Sequence, residues 1–249
     1  MSRGSIHVGV GGWTYEPWRG AFYPAKWPQA KELNYAGDHL TGIEINGTFY
    51  GRQKRESFVK WRDAVPQGFV FTAKANRFCV NRKVLAEAGE SIGRFFEQGI
   101  EELGGKLGPI LWQLAGTKKF DAADIEAFLA LLPAAHEGVA LRHAIEARHE
   151  SFRDPAFFDL CRQAGVAVVY AEADDYPRFE EQTAAFTYAR IQQAQETPEN
   201  GYSDAELDRL AEQARSWAAD GRDVFLFFIS GAKVRNPAAA QALIARLAI

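Results

Sequence analysis

The sequence predicts a TIM-type (β/α)8 barrel with an irregular or shortened helix between strands 6 and 7. Three observations point there. Eight short apolar runs alternate with helix-like stretches over 249 residues, which is the length and rhythm of that fold. No low-complexity linker or break in composition divides the chain, so residues 1–249 read as one barrel domain. The competing open, doubly wound sheet ordinarily carries a GxGxxG loop after its first strand, and here that stretch reads GVGGWTY.

The strand-like runs are HVGVGG (7–12), GIEIN (42–46), GFVFTAKAN (68–76), GPILWQL (108–114), HAIEAR (143–148), VAVVYA (166–171), FTYARIQ (186–192) and DVFLFFIS (223–230). Each is short, rich in Val, Ile, Phe or Tyr, and bounded by turn-forming residues. Helix signals lie between them. Asp121 stands as an N-cap before Ile125, Phe128, Leu129 and Leu132 at helical spacing. Asp154 precedes Pro155, and Gly165 follows the same stretch as a stop. Ser203 and Glu206 have the spacing of a capping box. An Ala-rich helix over 236–249 closes the chain. Only about fourteen residues, interrupted by Pro177, separate the sixth and seventh strands, and that is where the helix must be short or irregular.

Alternate residues of a strand share a face, and this phase gathers unusual side chains. Glu44 and Asn46 fall together on the second strand. Thr72, Lys74 and Asn76 do so on the third, Glu146 and Arg148 on the fifth, and Tyr188, Arg190 and Gln192 on the seventh; Gln113 ends the fourth. All lie toward the C-terminal ends of their strands, the face on which barrel enzymes carry their active sites. For any one of them a satisfied salt bridge in the mouth is an equally good account, with Glu146–Arg148 or Glu44–Lys74 as the pair. Five charges converging from four strands must be paired, hydrated or ligand-bound, because an isolated buried charge is very costly. The set therefore reads as a functional site. Trp13, Tyr15, Trp18, Phe22, Tyr23 and Trp27 crowd the first connection, and Phe49 and Tyr50 follow the second strand. Such aromatics either cover a core or wall a pocket, with Trp13, Tyr15 and Tyr50 as candidates for the wall.

Bulk properties narrow the function. The chain is 47% hydrophobic and 24% charged, enough to build a large core. No apolar run approaches the roughly 20 residues of a membrane helix, and the N-terminus runs almost directly into a strand with no signal peptide. Cys79 and Cys161 lie far apart without CxxC spacing, which reads as two reduced thiols in a cytoplasmic protein. A net charge of −3 does not suggest a dedicated nucleic-acid binder. Residues 52–83 run against that average, with nine Lys or Arg opposed only by Glu56 and Asp63. A solvated helix face explains most such runs, and phosphate attraction is the alternative.

GGWTYEPWRGAFYP, EINGTFYG, FVFTAKANR, LGPILWQL, AIEARHESF and FTYARIQ, taken in that order, resemble the DUF72 (YecE-like) family over about residues 7–240. The resemblance implies a TIM barrel and assigns no chemistry. Glu44, Asn46, Phe49, Tyr50, Trp61, Lys74, Gln113, Glu146, Arg148, His149 and Arg190 match its pattern. Two places depart. Where the family tends to read Arg-Leu-His-Gly, this chain has Arg190-Ile191-Gln192-Gln193, and the Asn pair expected after Phe228 is replaced by Ile229 and Ser230. The departures put in question a polar contribution from that side of the mouth.

Five histidines show no HxH or HExxH spacing and no Asp–His cluster falls at a strand end, so no metal site or other cofactor is expected; one divalent ion on Glu44 or Glu146 stays open. There is no GxSxG nucleophile elbow. The expectation is an enzyme for a small anionic metabolite, phosphorylated, carboxylated or sugar-like. Glu44, Lys74 and Glu146 are the catalytic candidates, with Glu as general acid/base. Asn46, Tyr50, Gln113, Arg148, His149, Arg190, Trp13 and Tyr15 are the candidates for substrate binding, the arginines as anion clamp. The alternative is a nucleic-acid-binding or -processing protein that uses residues 52–83. Reaction class and oligomeric state are not set by the sequence.

Overall fold

A computed structural model describes residues 3–249. The predicted barrel is present, and every ladder between its neighbouring strands is parallel. The strands are β1 (Ile6–Gly11), β2 (Gly42–Ile45), β3 (Val70–Lys74), β4 (Leu107–Gln113), β5 (His143–Glu146), β6 in two pieces (Ala167–Val168 and Tyr170–Glu172), β7 (Phe186–Ile191) and β8 (Asp223–Phe228). Among the described residues, seven helices of eight or more residues lie between or after them: α1 (Glu32–His39), α2 (Arg55–Asp63), α3 (Gly89–Phe96), α4 (Ala122–Ala130), α5 (Pro155–Ala164), α6 (Asp204–Trp217) and α7 (Asn236–Leu247). A two-residue hairpin, Ala135–His136 with Val139–Ala140, precedes β5.

Closure runs through β6. Its first piece pairs with β5, Ile145 opposite Val168, and its second with β7, Arg190 opposite Ala171. Because the first piece has no backbone partner on the β7 side, Val168 N–H donates instead to Thr183 Oγ1 at 2.8 Å. Thr183 in turn donates to the carbonyl of Val166 at 2.7 Å. The β6–β7 connection is thus irregular, as predicted, and contains no helical turn. Phe179 of this connection packs on Phe158 of α5, with ring centroids 5.7 Å apart, and covers surface a helix would otherwise cover.

The punctuation read from the sequence acts as expected at three helices. Asp121 accepts from Asp124 N–H at 3.0 Å, Asp154 from Ala156 N–H at 3.0 Å, and Ser203 and Glu206 form the reciprocal capping box. Gly165 closes α5 with φ of 64°, a left-handed conformation glycine adopts at no steric cost.

Strand alternation divides the core in two. Val8, Val10, Ile43, Ile45, Phe71, Ala73, Ile110, Trp112 and Ile145 pack outward with the helices. Val70, Leu111, Ala144, Ala167, Val169, Ala171, Phe186, Tyr188, Phe225 and Phe227 fill the lumen. Glu44, Thr72, Lys74, Gln113, Glu146 and Arg190 follow the lumen phase at the C-terminal ends of their strands. No helix of the described residues is long and apolar enough to cross a membrane.

Candidate functional site

The polar residues of the lumen form one layer directly above the apolar filling. Arg190 of β7 lies at its centre. Its Nε and Nη2 donate to Glu44 Oε2 and Oε1 at 3.0 and 3.1 Å, and its Nη1 donates to Glu146 Oε2 at 2.6 Å. Every guanidinium nitrogen is therefore engaged. The remaining oxygen of Glu146 accepts from Arg148 Nε at 2.5 Å. Tyr188 donates its hydroxyl to Glu44 Oε2 at 2.8 Å, so Thr72 Oγ1, 2.9 Å away, is the donor to Tyr188. The side chains of Arg190, Glu44 and Glu146 are 3%, 0% and 1% exposed.

Burial by itself would push the Glu146 carboxyl up, but Arg190 and Arg148 overcome this and hold it below the usual carboxylate range. Burial likewise works against the charge on Arg190, and Glu146 and Glu44 keep it firmly protonated. Tyr188 is pushed well up, first by burial and then by the charge of Glu44. These groups form a charged cluster whose hydrogen bonds are spent on one another. That arrangement corrects one expectation of the sequence: Glu44 bridges to Arg190, not to Lys74, whereas the Glu146–Arg148 pair forms as expected.

Lys74 is placed differently. No ion pair joins it to either carboxylate, and its Nζ lies 4.1 Å from the centroid of the Phe49 ring. Burial first, and then the neighbouring Arg190, lower its pKa to about 8 against the smaller opposing pull of Glu44 and Glu146. The Arg148 guanidinium stacks on Tyr176, 4.2 Å from the ring centroid, and only its Nε is tied to a carboxylate.

Above this layer opens a cleft of about 570 Å³. Trp13, Asn46, Tyr50, Lys74, Gln113, Arg148 and Arg190 line it, so seven of the eleven side chains singled out in the sequence meet there. Glu44 and Glu146 lie beneath its floor. Gly11 makes room at one wall, since a Cβ there would come 2.8 Å from both Asn46 Nδ2 and Ile229 Cδ1. Gln113 Oε1 and Asn236 Oδ1 are buried acceptors that no group among the described residues satisfies, and both residues line the cleft.

Tyr15 and His149 do not line it. Tyr15 packs edge-on against Trp18, with ring centroids 5.5 Å apart. His149 Nδ1 accepts from the backbone N–H of Ser151 at 3.1 Å, capping the turn after β5. Most of the first-connection aromatics cover the core: Trp18 and Tyr23 are fully buried, Trp18 Nε1 donates to the Lys233 carbonyl at 2.9 Å and Tyr23 OH to the Trp13 carbonyl at 2.6 Å. Trp13 alone among them reaches the cleft, edge-on to Trp61 at 5.1 Å.

Sequence reasoning missed Gln53, Ser230, Lys233 and Asn236, which also line the cleft. The polar contribution placed in question after the eighth strand is therefore supplied by Ser230 and by residues three and six positions beyond it. Lys233 Nζ lies 4.3 Å from the Tyr15 ring centroid, has no ion-pair partner among the described residues, and is lowered in pKa by burial. Its position in a loop at the C-terminal face of the barrel was the available signal. Gln192 and Gln193 do not line the cleft, and the Gln193 amide donates to Asp174.

Among the described residues no group of three or more His, Cys, Asp or Glu side chains converges as a metal site. Cys79 and Cys161 are free and buried, and burial pushes both thiols up to about 12. Within the basic run 52–83, several arginines are held by protein groups. Arg55 pairs with Glu101 and Glu102, Arg62 with Asp63, and Arg82 donates to the carbonyls of Phe78 and Glu87.

A family model described as "Protein of unknown function DUF72" matches residues 7–249. Solved structures agree in fold. A DUF72 family protein from Thermotoga maritima is 24% identical with a TM-score of 0.75, covering 96% of each chain. One from Enterococcus faecalis is 18% identical with a TM-score of 0.76, covering 98% of this chain and 96% of its own. A more distant structure, SacUVDE, is 10% identical with a TM-score of 0.59 and 97% of each chain covered. No curated protein matches.

Proposed function

The chain belongs to the DUF72 family, a TIM-barrel family of unknown function, and on that premise we propose that it is an enzyme for a small anionic metabolite bound in the C-terminal mouth of its barrel. The observation that carries the reading is a charge imbalance. Four cations line the cleft, Lys74, Arg148, Arg190 and Lys233, and two carboxylates beneath it, Glu44 and Glu146, are consumed by the two arginines. Lys74 and Lys233 are left uncompensated in a partly desolvated cleft, where an anion gains most. The terminal nitrogens of Arg148 carry no hydrogen bond to the described residues and supply a fork for a phosphate or carboxylate. Gln113 Oε1 and Asn236 Oδ1 call for donors, so hydroxyl groups on the ligand fit.

The same geometry reassigns the chemistry within the mouth. Glu44 and Glu146 hold Arg190 and are poor proton shuttles, because each oxygen is occupied and Glu146 is held low. Lys74, at about 8, is the group whose proton can move near neutral pH. Phosphate recognition by the basic run 52–83 is the weaker reading, since two of its arginines, Arg55 and Arg62, are already paired with carboxylates.

Thermal unfolding with inorganic phosphate, small phosphorylated hydroxy acids, carboxylates, sugars and short oligonucleotides tests this. A ligand at 100 times its Kd stabilises by about 2.7 kcal/mol. The expected result is a shift with small anions that is lost in Lys74→Met/Lys233→Met and reduced in Arg148→Ala. Shifts with oligonucleotides alone, unchanged in these variants and weakened by Lys54→Ala, would move the function to the outer surface.

A further inference from the structure

We propose that Lys74 is a covalent catalyst: its amine condenses with a carbonyl carbon of the anionic ligand to form an imine. The inference rests on the anion-binding reading of the same cleft and adds a requirement to the ligand, which must carry an aldehyde or ketone as well as a carboxylate or phosphate.

Three features of the mouth support it. Lys74 ends β3, so its stem starts from the barrel wall and not from a mobile loop, and the side chain opens on the cleft without an acidic partner. A lysine held in a salt bridge would be fixed as the ammonium and could not attack. Here the carboxylates that would hold it are taken by Arg190 and Arg148, so the arginines keep the amine free as well as charging the cleft. The product is also matched to its surroundings. An iminium is a cation at the position of the ammonium, so the Phe49 face at 4.1 Å and the buried carboxylates beneath serve it equally. Burial and Arg190 lower the lysine to about 8, which leaves roughly a quarter of it as free amine at pH 7.5.

The step balances without a further reactant. The ammonium loses a proton to solvent, and the amine lone pair forms the C–N bond while the carbonyl π pair moves to oxygen. The resulting carbinolamine takes up protons and expels the oxygen as water. Ammonium plus carbonyl gives iminium plus one water, with charge conserved. The free end of Arg148 is the natural seat for the ligand's acid group.

Reductive trapping decides it. Wild type and Lys74→Arg, which keeps a cation, are incubated with glyoxylate, pyruvate, dihydroxyacetone phosphate and uncharged glyceraldehyde, then treated with sodium borohydride and mapped by peptide mass spectrometry. Thermal shifts with the same compounds and with phosphate are measured in parallel. The expected result is one dominant adduct at Lys74, at least tenfold above that at exposed Lys54 and Lys60, formed best by an anionic probe and absent from Lys74→Arg. Anion-dependent stabilisation without an adduct at Lys74 would overturn the imine while leaving the anion site intact. An adduct from glyceraldehyde with no anion shift would keep the imine and sink the anion site. Labelling at Lys233, or evenly over surface lysines, also overturns the proposal.

Discussion

The two ends of the barrel lumen each carry an arginine beside acids and aromatic rings, and they use them in opposite ways. At the N-terminal end Arg142 lies over Phe225 and Phe186, 4.7 and 5.7 Å from their centroids, and pairs with Asp223 at 3.0 Å. His7 stacks on Phe225 beneath it. Both partners of that pair are over a third exposed, at 37% and 38%, so water solvates what the pair does not. At the C-terminal end Arg190 is sealed between Glu44 and Glu146 with almost no exposure. The lower pair is a replaceable cover over aromatic rings. The upper cluster cannot lose a member without stranding a charge, and because it occupies both carboxylates it leaves Lys74 and Lys233 without acidic partners at the cleft. The position of an ion pair along the lumen, more than its geometry, decides whether it is a lid or a foundation.

Arg190→Ala should break that contrast most severely. It strands two buried carboxylates, and the expected loss is about 3–5 kcal/mol in urea unfolding; a loss below about 1 kcal/mol would mean that water enters the cluster and that it is no foundation. Lys74→Met sharpens the comparison by its pH dependence. The Lys74 pKa is lowered on folding, from 10.5 to about 8, so the unfolded chain binds more protons between these values. Wild-type stability should therefore rise with pH across that window. The variant, free of this penalty, should be about 1–2 kcal/mol more stable at pH 7, allowing for partial exposure, and its advantage should vanish by about pH 10.5. A pH-independent difference would place Lys74 in bulk-like water. Arg142→Met should cost the least, less than about 1 kcal/mol, because the pair it removes is solvated.

The sequence exposed the fold through rhythm and the cluster through phase. Glu44, Glu146 and Arg190 each break an apolar run at the inward-facing step near its end, a local signal that needs no knowledge of partners. What phase cannot show is who pairs with whom. Glu44 and Arg190 are 146 positions apart, and their pairing across the lumen follows from strand order and register, as does the bond from Tyr188 to Glu44. Residues outside the strands were harder still. Lys233 lies in a short turn and Asn236 at the very start of α7, where no strand period marks them, and Trp13 differs from Trp18 only in which side of the first connection it reaches. Tyr15 and His149 share the same stretches as true cleft residues, but local turns direct them elsewhere.

The divided sixth strand has a mechanical consequence. Seven strands run as continuous staves, and β6 changes partner at Val169, where the Thr183 side chain stands in for a neighbouring backbone. A segment with fewer ladder hydrogen bonds is the expected place of local opening. Tyr176, on which the Arg148 guanidinium rests, lies in the segment that leaves this join, so the irregular connection that completes the wall also braces a side chain of the cleft. The divided stave and one wall of the cleft thus share a single support.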